Sequence, residues 1–90
     1  MRLADGDASV TAMRLISGPA IAALHHRTRK WAHDHLRRGT FGPVIVCNSV
    51  VYAELPNVER AAGETFSEAR LALAAAGRPD RLITLPEEAA

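Results

Sequence analysis

The residue pattern predicts an α/β domain, a parallel sheet flanked by helices. Two short apolar runs, residues 44–47 and 82–85, read as strands. The first, Val44-Ile45-Val46-Cys47, is β-branched without a polar break, the mark of a strand buried on both faces. Longer stretches of helical period lie before and between these runs, and strands alternating with helices are the grammar of a doubly wound sheet.

The elements follow in chain order. Residues 1–11 are polar and aperiodic and read as a loose leader, leaving 12–90 as one domain. Residues 12–16 suit a short strand, which Ser17-Gly18-Pro19 breaks. A single helix is expected over 20–38, with Leu24, Thr28, Trp31 and His35 on one face and Gly39 as its stop. After the strand at 44–47, Asn48 or Ser49 offers an N-cap to a short helix over 50–55, closed by Pro56. Asn57 then caps a helix over 58–76, whose apolar stripe is Val58, Ala62, Phe66, Ala69, Leu73 and Ala76. Gly77 and Pro79 end it, and 82–85 pairs with or near 44–47 as a parallel strand. Pro86 looks like the first position of another helix, with Glu87 and Glu88 in its first turn. The sequence stops four residues later, which reads as a domain cut short.

Ninety residues fit one domain, and alanine supplies much of the 48% apolar share, so the core is expected to be marginal. The net charge of +1 excludes a strongly basic or acidic chain, but the halves differ. Residues 1–40 hold seven Lys and Arg against three Asp, and residues 41–90 hold four Arg against seven acids. The asymmetry admits a nucleic-acid face or an ordinary solvated helix. A single cysteine, Cys47, forbids an internal disulfide, fits a reducing cytosol and sits as a small hydrophobe in its apolar run. No apolar run is long enough for a membrane-spanning helix, and the first ten residues hold no signal-peptide core.

Candidate chemistry is sparse. His25, His26, His33 and His35 cluster, but no two stand four apart, the spacing with which one helix holds a metal. They add charge to a basic helix below about pH 6.5. Arg27, Arg29, Lys30 and Arg37 around Trp31 form a candidate nucleic-acid surface, with phosphates on the cations and a base on the indole. Trp31 equally suits the core, since it shares a stripe with Leu24. Glu54 follows a buried strand, near the carboxyl end where open α/β sheets bind ligands. A carboxylate there suits Mg²⁺ or Mn²⁺, and it suits a solvated helix rim as well.

The segment Pro43-Val44-Ile45-Val46-Cys47-Asn48-Ser49-Val50-Val51-Tyr52-Ala53-Glu54-Leu55 resembles the second strand and following helix of PIN-domain ribonucleases, especially the VapC toxins of toxin–antitoxin systems. The resemblance implies a PIN-like parallel sheet, Mg²⁺-dependent RNA cleavage, an antitoxin partner, and Glu54 as a catalytic, metal-binding acid. The family's first strand ends in Asp followed by Ser or Thr and Asn. Here the best-placed stretch is Arg14-Leu15-Ile16-Ser17-Gly18-Pro19, with Ser17 in place of that acid. A neutral hydroxyl is no substitute for a charged ligand on a hard cation. The family's later acids would lie beyond Ala90. The expectation is therefore an incomplete PIN-like domain that does not cleave RNA as it stands. The alternatives are a non-catalytic interaction module, packing its apolar helices on a partner or on a second copy as a homodimer, and a gene remnant.

Overall fold

The computed structural model describes residues 12–86. It opens on strand β1 (Ala12–Ser17), followed by helices α1 (Gly18–Leu24) and α2 (Arg29–Arg38). Strands β2 (Ile45–Cys47) and β3 (Val50–Glu54) form a hairpin. Helices α3 (Leu55–Ala62) and α4 (Glu68–Ala75) and a 3₁₀ turn (Pro79–Arg81) lead to β4 (Leu82–Pro86). Helices and one four-stranded sheet confirm the mixed α and β content. The sheet order is β2-β3-β1-β4.

Among the described residues every pairing in this sheet is antiparallel, which does not support the expected parallel, PIN-like sheet. The reason lies at residues 48 and 49. Asn48 and Ser49 both adopt positive φ, 52° and 65°, the geometry of a two-residue type I′ turn. They turn the chain back instead of capping a helix, and Cys47 pairs with Val50, Val46 with Val51 and Ile45 with Tyr52. The helix expected over 50–55 is thus a strand. Val50, Val51 and Tyr52 fit a pleated surface better than a helix. A two-residue loop allows no parallel neighbour.

The run at 44–47 is accordingly not a buried centre strand. It forms the sheet edge, with Val44 44% and Val46 64% exposed, and Cys47 is half-buried there. The strand expected at 82–85 is present as β4, but on the opposite edge, where it pairs with β1 from Ile16↔Leu82 to Ala12↔Pro86. Pro86 is the last described residue of this strand; the helix expected to follow it, at 87–90, and the leader at 1–11 lie outside the described residues.

Each long helix expected from the sequence is two short ones. The first breaks at 25–28: His26 takes φ 54°, and Thr28 caps α2 by accepting the Trp31 N–H at 3.1 Å. Gly18 does not break the chain but begins α1, capped by the buried Ser17 hydroxyl, which accepts the Ala20 N–H. The second breaks at Gly63, φ 75°, which closes α3, and Ser67 caps α4. Between them the Glu59 carboxylate accepts the Phe66 N–H at 2.9 Å and fixes the bend. Pro56, expected as a stop, sits in the first turn of α3, where a missing N–H is tolerated, and Asn57 lies inside that helix.

One face of the sheet carries the helices. Strand alternation aims Ile16 and Ala53 to that side, where they meet Ile21, Leu24, Ala32, Leu36, Leu55, Val58, Phe66, Leu71 and Ala74. Each large side chain here contributes about 1.5–3 kcal/mol by burial. Phe41, in the loop after α2, closes the same core. On the sheet's other face Leu15 and Tyr52 are buried as well, and the Tyr52 hydroxyl donates to the Asp80 carbonyl, tying β3 to the 3₁₀ turn.

Candidate nucleic-acid interface

Glu54 is the residue the sequence marks for metal chemistry. It stands at the last position of β3 and the N-cap position of α3, half-buried, and its side chain makes no capping hydrogen bond. Its strand partner is Leu15, whereas Ser17 pairs with Tyr52. Ser17 and Glu54 each end their own strand, but the strands run oppositely, so these ends point away from each other. The two residues are offset by about 7 Å along the strands. In a parallel sheet both would lie on one rim. Among the described residues no three His, Cys, Asp or Glu side chains come together as a metal site. The four histidines separate likewise. His25 ends α1, its Nδ1 2.9 Å from the Ile21 carbonyl, and His26 lies in the bend. His33 is exposed on α2, and His35 is half-buried there, its Nδ1 2.9 Å from the Thr40 hydroxyl.

The basic residues, by contrast, are brought together. Ala32 and Leu36 turn α2 onto the core, with Lys30, Arg37 and Arg38 on the opposite side; Arg29 and His33, nearer the side of Leu36, are exposed as well. Positions 29, 33 and 37 are successive i, i+4 neighbours on one row. Asp34 is the one acid of this helix and answers two of its cations, Lys30 at 3.0 Å and Arg37 at 3.7 Å. The Lys30 hydrogen bond, with the charges of Lys30, Arg37 and Arg38, holds the Asp34 carboxyl below its ordinary range against a smaller desolvation effect. Lys30 and Arg37 still expose 83% and 80% of their side chains, so both remain open to a ligand.

The first turn of α2 holds no acid and two cations, Arg29 and Lys30. Cations at a helix N-terminus oppose the macrodipole and cost about 0.3–1 kcal/mol each at an exposed site. Arg27 adds a third just ahead of the helix. Its guanidinium lies 5.1 Å from the centre of the Trp31 ring. Positive charge and helix dipole therefore sum at one end of α2. Trp31 itself is half-buried against the core, with the His35 ring at 4.6 Å, His25 at 5.0 Å and Phe41 at 6.4 Å.

The four cations marked in the sequence, Arg27, Arg29, Lys30 and Arg37, are all exposed, three on α2 and one just ahead of it. Arg38 and His33 lie within the same basic stretch and are exposed on α2 too, the His33 imidazole resting over Gly18. No helix among the described residues is long and apolar enough to cross a membrane. Comparison with protein-family models, with curated proteins and with solved structures found no match for this chain.

Proposed function

We propose that this chain acts by binding nucleic acid through the outward face of α2 and that it does so without catalysis. One observation carries the reading: cations crowd the N-terminal turn of α2, where they weaken the helix and concentrate positive potential. The outward positions of α2 hold no apolar side chain, whereas a protein–protein interface has an apolar centre. Arginine dominates the patch, and its planar fork matches phosphate oxygens in pairs. The cleavage step finds less support, because Glu54 stands on an antiparallel sheet away from Ser17.

The test joins affinity to stability. Fluorescence anisotropy with labelled RNA measures binding of the whole chain over a salt series. Four cations each neutralising one phosphate of a single strand give a log–log salt slope of about −2.8, so a fourfold rise in salt weakens binding about 50-fold. Arg29→Glu weakens RNA binding and lowers that slope. The same change raises thermal stability, by about 0.3–1 kcal/mol or more, since an acid replaces a cation at the helix N-terminus. No RNA binding at low salt overturns the reading, and so does equal binding of polyglutamate per charge.

A further inference from the structure

Resting on that binding reading, we infer that the chain recognises nucleic acid through its phosphates, with no base stacked on its tryptophan, tyrosine or phenylalanine rings. The whole sequence contains one Trp, one Tyr and two Phe. All four lie among the described residues; three are buried and Trp31 is half-buried. Phe41, Tyr52 and Phe66 are 2%, 2% and 7% exposed. Trp31 is the one aromatic beside the basic patch, and its surroundings are taken by the chain itself. Arg27 covers the ring, and the imidazoles of His25 and His35 lie against it. Phe66 is covered in the same manner, by the Arg70 guanidinium at 4.7 Å.

Proteins that prefer single strands draw on stacking platforms, worth about 1–3 kcal/mol per base. This surface offers no open indole, phenol or phenyl ring; its exposed rings are the small imidazoles of His26 and His33. Attraction to phosphate then dominates; it follows charge density, and a duplex carries its charges more densely than a single strand. A duplex is then held at least as well as either of its strands, and base sequence is immaterial.

The experiment titrates the full-length chain against a labelled duplex, the same strand alone and a strand of shuffled sequence, at one salt concentration. The inference expects the duplex to bind at least as tightly as the single strand and the two sequences to bind alike. One stacked base corresponds to about fivefold or more in affinity. A single-strand preference of that size therefore overturns the inference while leaving the binding reading intact. A preference of that size between the two sequences overturns it equally. Binding to neither nucleic-acid form overturns the reading of α2 and this inference with it.

Discussion

At the scale of single residues, a few backbone positions hold the chain where the sequence period would not. Gly42 is the sharpest. Its φ is +77°, and a Cβ built there would lie 2.6 Å from Asn57 Nδ2. Asn57 is itself fixed, its Oδ1 accepting from Arg60 at 2.6 Å. Gly42→Ala must therefore bear the left-handed backbone, about 1–2 kcal/mol, and displace the Asn57 amide as well. Gly39, with φ +83° and nothing within 4 Å of its Cβ position, is the control that bears the backbone cost alone. Urea unfolding is expected to show Gly42→Ala less stable than Gly39→Ala. Adding Asn57→Ala should close most of that gap; if it leaves the gap unchanged, the contact is not the cause. In the sequence Gly42 stands beside Pro43, a pair that marks only a turn before the strand at 44–47. Its partner Asn57, fifteen residues on, was not legible, because their approach is made by the fold.

At the scale of elements, the hairpin of β2 and β3 decides the architecture. The same letters, Asn48-Ser49 before Val50-Val51-Tyr52, serve a helix cap or a hairpin turn, since Asn and Ser favour both. A substitution separates the two. Ser49 holds φ 65° in the turn, so Ser49→Gly relieves a left-handed residue and stabilises by about 0.5 kcal/mol after the entropy of the unfolded chain is counted. At a helix N-cap the same change would cost a few tenths of a kcal/mol. Thermal melts of the two proteins give the sign, and a lowered melting temperature would speak against the turn. The split helices make the same point. Period alone carried residues 58–76 as one stripe, and the αL glycine at 63 and the cap at Ser67 reset its phase. In α4 the inward residues are therefore Leu71 and Ala74, while Leu73, an expected stripe member, is 79% exposed.

At the scale of the whole molecule, that phase shift is a measurable property of the core. Leu71 is 1% exposed among the core residues. Leu71→Ala is expected to cost about 2–5 kcal/mol, a large share of the 5–15 kcal/mol that typically holds a domain. Leu73→Ala is expected to stay within about 0.5 kcal/mol, as exposed sites do. Equal losses for the two would show that α4 packs on its other side. The sequence by itself determined the mixed helix and strand content, the strands at 12–16 and 82–85, the extended run at 44–47, and the cations that α2 displays. Those features are local: β-branched runs, helical spacing and charge act within a few residues. Only the assembled fold shows that the sheet is antiparallel, that residues 50–54 are a strand, and that Glu54 and Ser17 stand at different ends. Pairing partners are set by burial and hydrogen bonding between segments far apart in the chain, and no local period records them.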